Sequence, residues 1–264
     1  MVSASKLRKA QEAQANAKLY AQSLTALITR ISASVEAAQH PLLIRREKPT
    51  KALILIINSD KGLCGAFNNN AHKEVLSWLR ENKQRYERIA MSFCGRRGYN
   101  FFRKNENVKK YYEGVVNTPS FSEAKKIGQD LALSFQQGEY DEIYLAYNQF
   151  FSPLSQKTIY EKVLPIDPQA LIKEEELKPT PYLFEPQAPE LLEFLIPHYL
   201  YFRIYFALLE NSAGEHGARM TSMDNATKNA AELIDKYTLL RNRARQAQIT
   251  TELTEIVTGA EALK

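Results

Sequence analysis

Cysteine is scarce in this sequence of 264 residues, which contains only Cys64 and Cys94. Two cysteines are too few for a disulfide scaffold or a structural zinc site, so a reducing, cytosolic compartment is expected. Long hydrophobic runs are missing too: no apolar stretch approaches the ~18–20 residues that cross a bilayer, and no apolar block follows the basic residues near Met1. The sequence therefore predicts neither a membrane span nor a secretory signal.

Charge of one sign is not in excess, because 35 Lys and Arg stand against 30 Asp and Glu, for a net charge of +5. With 44% hydrophobic residues, this composition excludes disorder and collagen, and the charge alone gives no reason to expect nucleic-acid binding. The four histidines share no metal-ligand spacing, and the cysteines form no C-x-x-C pair. These residue types predict no metal site, no catalytic residue and no cofactor.

Both ends of the chain show the alternating three- and four-residue spacing of coiled-coil helices. In the first forty residues the spaced positions are Ala10, Ala13, Ala17, Tyr20, Leu24, Leu27, Ile31, Ser34 and Ala38. Near the other end they are Met223, Ala226, Ala230, Leu233, Tyr237, Leu240, Ala244 and Ala247, and a second stripe follows at Ile249, Leu253, Ile256 and Ala260. The spacing predicts helices roughly 55 Å and 110 Å long, paired antiparallel, with Pro197 kinking or restarting the longer one.

The stretch between the helices has the pattern of a sheet. Strand patterns cover residues 52–58, 88–95, 108–115, 142–150 and 158–166, and helical patterns cover 69–82 and 120–137. Strands that alternate with helices predict βαβ units and a mainly parallel sheet. We therefore predict an N-terminal coiled-coil helix over residues 1–40, an α/β base domain with a proline-rich return segment over 50–187, and a long C-terminal coiled-coil helix over 188–264.

The longer helix carries more apolar side chains than one seam can bury. The surplus includes Leu208, Leu209, Ile234, Ile249, Leu253, Ile256 and Val257. A domain of about 120 residues has a radius of gyration near 14 Å, so much of this helix must extend beyond it. The surplus favours a second protein around the distal end, and a free-standing coiled coil with scattered apolar residues is an equal alternative.

Two loops and one arginine cluster permit more than one interpretation. Residues 59–65 follow the first predicted strand, where α/β domains often bind nucleotides, but they lack the spacing of known phosphate loops. A tight structural turn is the alternative there. At residues 95–98 the two arginines could hold an anion, but a solvated turn is expected. The arginines at 241–246 are spread around the helix, which favours a solvated face or contact with acidic or carbonyl-rich protein loops over a nucleic-acid stripe.

Several segments together resemble the gamma subunit of F-type ATP synthases. They are residues 1–11 (MVSASKLRKAQ), 59–68 (SDKGLCGAFN), 95–102 (GRRGYNFF), 182–186 (YLFEP), 215–223 (EHGARMTSM), 242–247 (NRARQA) and 255–262 (EIVTGAEA). The resemblance covers nearly the whole chain. It implies an α/β fold plus a long antiparallel coiled coil, in which a Rossmann-like, mainly parallel sheet domain is inserted between two long terminal helices.

The same resemblance implies a non-catalytic rotor subunit, one copy per complex, that binds no cofactor and no nucleic acid. Its partners would be the alpha and beta subunits of the catalytic hexamer, the epsilon subunit and the c-ring. It would be a peripheral protein on the cytoplasmic face of the bacterial inner membrane. Because no closely spaced cysteine pair interrupts the central domain, the light-regulated chloroplast form is not expected.

Site residues follow from the matched motifs. The resemblance implies beta-subunit contacts at Arg243, Arg245, Gln246, Thr250 and Glu252. It implies contacts near the c-ring at Tyr182 and Glu185, and a structural turn with Gly62, Cys64 and Gly65.

The chain departs from the family pattern in two places. The family usually begins about two dozen residues earlier with a basic helical segment, so we expect such a segment upstream. Gly214 and Gly217 stand where alanine or serine is commoner, and each is expected to soften the helix at a cost of about 1 kcal/mol. Two alternatives from other classes stay open: an α/β enzyme that binds a nucleotide at residues 59–65, and a basic coiled-coil nucleic-acid binder.

Overall fold

The computed structural model describes residues 2–34, 40–104, 107–167 and 187–262. In chain order the elements are α1 (Val2–Ser34), a 3-10 turn (Pro41–Leu43), β1 (Lys51–Ile57), α2 (Phe67–Asn82), β2 (Arg88–Cys94), α3 (Arg96–Phe102), β3 (Val108–Tyr112), α4 (Phe121–Gln136), β4 (Glu142–Ser152), β5 (Ser155–Leu164) and α5 (Ala188–Ala262). The chain divides into two compact units, Met1–Met220 and Thr221–Lys264.

The strands described in the first unit form one sheet in the order β3-β2-β1-β4-β5. Strands β1 to β4 are parallel, and β5 returns antiparallel to β4. The prediction of an α/β fold with a mainly parallel sheet is therefore confirmed. The antiparallel β5 is reached through a tight hairpin between Ser152 and Ser155, which needs no crossover helix.

The central strand β1 is apolar throughout because both of its faces are covered. Leu53, Leu55 and Ile57 face a core that also contains residues of α1, α4 and α5. Ile54 and Ile56 face the opposite core with residues of α2 and α3. This two-sided burial explains the continuous run LILII, which is typical of a strand in the middle of a parallel sheet.

Helices α1 and α5 lie antiparallel inside the first unit. The side-chain amide of Gln14 donates to Glu210 Oε1 at 2.7 Å, and the hydroxyl of Tyr20 lies 3.0 Å from His198 Nε2. As the residue number rises on α1 it therefore falls on α5. This order agrees with the predicted antiparallel orientation, but His198 and Glu210 lie before the predicted α5 seam, which begins at Met223 and is exposed from Asp224 onward.

The predicted seam of α1 is only half right. Ala17, Leu24 and Ile31 are buried as expected, but Tyr20 and Leu27 are 47% and 42% exposed. Ala21 and Ile28 are buried in their place. Both choices keep a spacing of three and four residues, so periodicity alone could not distinguish them.

Two predictions about the backbone of the first unit can be compared with the structure. Helix α5 is continuous through Pro197, so of the two expected outcomes there, a kink or a restart, the restart does not occur. Residues 95–98 are not a solvated turn, because α3 begins at Arg96 and Gly98 is buried. A Cβ on Gly98 would lie 2.5 Å from Asn58 Oδ1, so the glycine permits the close approach of α3 to the end of β1.

Gly214 and Gly217 also permit close packing. A Cβ on Gly214 would lie 3.1 Å from the ring of Phe67, and one on Gly217 would lie 3.0 Å from Cα of Pro153. The two glycines therefore allow α2 and the β4–β5 turn to approach α5 closely. Helix propensity alone gave no reason for glycine at these two positions, and the close packing supplies one.

The second unit is a single stretch of α5 in which residues 224–262 are all exposed. Its exposed apolar side chains include Leu233, Ile234, Tyr237, Leu239, Leu240, Ile249, Leu253, Ile256 and Val257. In neither unit does a described helix combine the length and apolarity needed to cross a membrane.

Candidate functional site

The loop at residues 59–65 is held by its own hydrogen bonds. The hydroxyl of Ser59 donates to the carbonyl of Lys61 at 2.6 Å, and the amide of Ser59 donates to Asn68 Oδ1 at 3.3 Å. Asn68 Nδ2 in turn donates to Ser59 Oγ at 2.8 Å and lies 3.2 Å from Cys64 Sγ. Asn68 thus ties the first turn of α2 to both ends of the loop.

Three loop residues have environments that fit a tight turn. Gly65 has φ +56°, a left-handed conformation that favours glycine. A Cβ on Gly62 would lie 2.7 Å from the guanidinium of Arg97. Cys64 is buried, and burial followed by the nearby Glu215 carboxylate raises the pKa of its thiol, so the thiol is protonated at neutral pH. This geometry gives the loop no reactive thiolate.

Arg219 connects this loop to α5. Its guanidinium donates to the carbonyl of Gly62 from two nitrogens, each at 3.3 Å, and to Glu215 Oε1 at 2.5 Å. Nη1 also lies 3.2 Å from His216 Nδ1. We call Gly62, Glu215, His216 and Arg219 the Arg219 cluster. Sequence reasoning missed it, although Glu215 and Arg219 are four residues apart, the spacing of an ion pair on one helix face.

A second hydrogen bond joins α5 to the end of β1. Asn211 Nδ2 donates to the carbonyl of Asn58 at 3.2 Å, and both residues are fully buried. In a buried site such a bond is costly to leave unmade, which fixes the position of α5 relative to the sheet. The Arg219 cluster and this bond therefore secure one face of α5 to the same end of β1.

The predicted beta-subunit contacts all lie in the second unit and are all exposed. At about 100° per residue, Arg243, Gln246 and Thr250 fall within roughly 60° of one another on one side of the helix. Arg245 and Glu252 fall within about 20° of each other on roughly the opposite side. The five residues therefore present two separate polar faces.

Few of these polar side chains are paired. Thr250 Oγ1 donates to the carbonyl of Gln246 at 2.9 Å, and Gln248 Nε2 donates to Glu252 Oε1 at 3.0 Å. Within the described ranges, Arg243 and Arg245 make no ion pair, so their guanidinium donors remain accessible to a partner. Ile249, Leu253 and Ile256 form an apolar stripe beside them, 45%, 58% and 67% exposed.

The predicted contacts near the c-ring, Tyr182 and Glu185, lie outside the described residues. In the ranges that are described, no group of three or more His, Cys, Asp or Glu residues is placed to hold a metal ion. Burial lowers the pKa of His72, whose ring stacks on Phe101 at 4.4 Å, so this histidine is uncharged at neutral pH. Such an environment is typical of a histidine packed among aromatic side chains.

Comparison with known proteins identifies the family. A family model described as ATP synthase matches residues 1–263. The ATP synthase gamma chain of Geobacter metallireducens is 42% identical over the whole of this chain and 91% of its own length. That of Pelotomaculum thermopropionicum is 43% identical with the same coverage. The chain belongs to the ATP synthase gamma chain family.

Solved structures of ATP synthases contain chains with the same fold. A chain from the central stalk and c-ring structure of Tetrahymena thermophila mitochondrial ATP synthase matches with a TM-score of 0.62 at 23% identity, covering 86% of this gamma-family chain and 96% of its own. A chain from the Euglena gracilis mitochondrial ATP synthase matches with a TM-score of 0.62 at 19% identity, covering 98% and 95%. The resemblance seen in the sequence motifs is thus confirmed.

Proposed function

We propose that this gamma-family chain is the central-stalk rotor of an ATP synthase. It transmits torque between the c-ring and the alpha/beta hexamer, and so couples proton or sodium ion transport to ATP synthesis or hydrolysis. The observation that carries the proposal is the second unit: a helix of this family whose apolar side chains between residues 224 and 262 are all exposed in the isolated chain. Exposed apolar surface on this scale favours enclosure by another protein.

The proposed partners are the alpha and beta subunits, the epsilon subunit and the c-ring, with one rotor chain per complex and no catalytic residue of its own. The Tetrahymena relative, whose fold this chain shares, is described in a central stalk and c-ring assembly. Tyr182 and Glu185 are proposed to lie near the c-ring. The complex would place the chain on the cytoplasmic face of the bacterial inner membrane as a peripheral protein.

The two polar faces of the second unit supply a physical basis for coupling. As the helix turns, a given beta subunit meets first the face with Gln246 and later the face with Arg245. If open and closed beta conformations bind these faces with different affinity, rotation shifts the equilibrium between them. Two unlike faces are the asymmetry that a rotor needs to place neighbouring beta subunits in different states.

The test uses a complex reconstituted in vesicles with alpha, beta, epsilon and the membrane sector. We expect Gln246→Leu and Arg245→Ala to lower ATP-driven proton pumping several-fold relative to ATP hydrolysis, without changing the far-UV circular dichroism of the chain. Lys236→Ala, an exposed change in the same unit, is the matched control. Normal ATP synthesis in both variants would remove these residues from the contact set, and failure of the chain to co-purify with alpha and beta would overturn the rotor function.

A further inference from the structure

A cavity of about 280 Å³ opens where α1, α5 and two loops at the carboxyl edge of the sheet meet. Its polar lining comes from Lys6, Lys61, Asn117, Thr118, His216 and Arg219. The carboxyl edge is where open α/β sheets usually bind their ligands. All of these residues belong to the first unit, so the cavity lies within one compact body.

The cavity has an excess of cationic donors. The ammonium groups of Lys6 and Lys61 make no ion pair with any residue in the described ranges. Arg219 engages Gly62, Glu215 and His216 through Nε, Nη1 and Nη2. Because a guanidinium has five N–H donors, Arg219 retains at least one donor for a ligand. Three cations from three separate segments therefore line one small space.

The carboxylates near the cavity are already satisfied. Glu215 lines the wall and accepts from Arg219 at 2.5 Å. Asp60 lies behind the wall, where it accepts from the amide of Arg96 at 2.7 Å and from Asn117 Nδ2 at 2.5 Å. Neither carboxylate contacts Lys6 or Lys61 within hydrogen-bonding distance. The charge of Glu215 acts on Lys61 from a distance, but in the described ranges neither lysine is held in a direct ion pair, so both ammonium groups keep their donors for a ligand.

The state of His216 is consistent with a positive local potential. Burial, followed by the charges of Arg219, Lys6 and Lys61, lowers its pKa to about 4. The imidazole is therefore neutral at pH 7, and Arg219 Nη1 lies 3.2 Å from its Nδ1. With that nitrogen accepting, the proton resides on Nε2, so the ring retains an N–H donor.

We propose that this cavity binds a phosphate group, held by Lys6, Lys61 and Arg219 with the hydroxyl of Thr118 and the one side-chain N–H of Asn117 that does not bond to Asp60. A phosphate offers several oxygens in a tetrahedral arrangement, which suits donors that converge from different segments better than a planar carboxylate does. The source is inorganic phosphate or the phosphates of a nucleotide. In either case Lys61 would contribute its side chain, and the loop at residues 59–65 would not act as an amide cradle. The proposal does not depend on the rotor function.

The experiment is calorimetric titration of the full chain at fixed ionic strength, with chloride as the reference anion. The probes are inorganic phosphate, ADP, ATP and adenosine. We expect saturable binding of phosphate-bearing probes at one site per chain and none of adenosine. Lys6→Gln and Lys61→Gln should each weaken binding about tenfold, as loss of a charge-assisted contact does. Lys73→Gln on α2 removes the same charge from an exposed lysine outside the cavity and should leave affinity unchanged.

The outcomes separate the two sources. Equal affinity for inorganic phosphate and ATP assigns the site to phosphate itself, whereas much tighter binding of ATP or ADP assigns it to a nucleotide. Absence of saturable binding by every phosphate-bearing probe overturns the proposal. So does an equal loss of affinity in Lys73→Gln, because binding would then follow net charge and not the cavity.

Discussion

The two compact units differ in what holds them in shape. In the first, the sheet and its helices share extensive cores whose largest side chains are completely buried. In the second, every residue from 224 to 262 is exposed, and the helix is supported by local hydrogen bonds alone. Because most helical stability in proteins comes from packing an apolar face, the second unit has much to gain from a partner. The first unit is therefore stabilised by its own core, whereas the second unit would be stabilised by contact with a partner.

The largest expected effect is the loss of unfolding free energy when a core side chain of the first unit is truncated, compared with an exposed side chain of the second. Phe93 is fully buried and stacks on Phe102 with ring centroids 5.7 Å apart. Phe93→Ala should lower the free energy of unfolding by about 3–5 kcal/mol, measured by urea denaturation. Leu253→Ala in the second unit should change it by no more than about 0.5 kcal/mol. A comparable loss in both variants would show that the second unit already packs against something in the isolated chain.

The next expected effect concerns Asp141, which is buried at the start of the sheet. Burial alone would raise its pKa, but amide donors from Thr50 and Lys51, at 2.7 and 2.9 Å, and the nearby Arg46 outweigh burial and lower it. A depressed folded-state pKa adds stability above the unfolded-state value of about 3.9, and this stability is lost as the pH falls through the lower folded-state value. Asp141→Asn should cost about 1–3 kcal/mol at pH 7.

The measurement is urea unfolding of the Asp141→Asn variant and the parent chain from pH 7 down to pH 3. The difference should begin to shrink below about pH 4, where the unfolded parent chain takes up the proton, and should be lost as the pH falls through the lower folded-state pKa of Asp141. Asp235→Asn removes the same charge from an exposed position in the second unit and should leave stability unchanged at every pH. A constant difference across the range would mean that the charge of Asp141 contributes nothing.

The smallest expected effect compares two glycines and has opposite signs in the two units. A Cβ on Gly128 would overlap the ring of Tyr201, whereas one on Gly259 would meet no atom within 4 Å. Gly128→Ala should therefore destabilise the chain by about 1–3 kcal/mol through overpacking. Gly259→Ala should add up to about 1 kcal/mol of local helix stability. Thermal melts followed by circular dichroism would test both, and stabilisation by Gly128→Ala would contradict the close packing of α4 on α5.

The pattern of elements was predictable because hydrophobic spacing reports it directly. An apolar run predicts the strand at residues 51–57, and heptad repeats predict the long terminal helices. Neither pattern depends on which residues pack against these elements. The seam of α1 was less predictable, since positions 13, 20 and 27 and positions 14, 21 and 28 satisfy the same repeat. The second set includes the polar Gln14, whose side chain donates to Glu210 on the facing helix.

The contact of Arg219 with Gly62 could not be predicted from spacing. It joins residues more than 150 positions apart in the chain, and its acceptor is a backbone carbonyl, which no side-chain pattern reveals. Helix α3 was missed for a related reason. Gly95 and Gly98 suggested a turn in the sequence, whereas in the structure they are glycines because Asn58 packs closely against both. The outward-facing contacts of the second unit remain predictions from the family motifs, because the chain alone supplies no surface for them to meet.

The junction between α5 and the sheet has a thermal consequence. Ile196 and Leu200 of α5 occupy the same apolar core as Leu53 and Leu55 of β1. The stiffness of this packed part of the junction depends on the hydrophobic effect, which weakens on cooling, and is separate from the polar contacts of Asn211 and Arg219. An organism growing in the cold would need bulkier or tighter packing at these positions to keep the same mechanical stiffness.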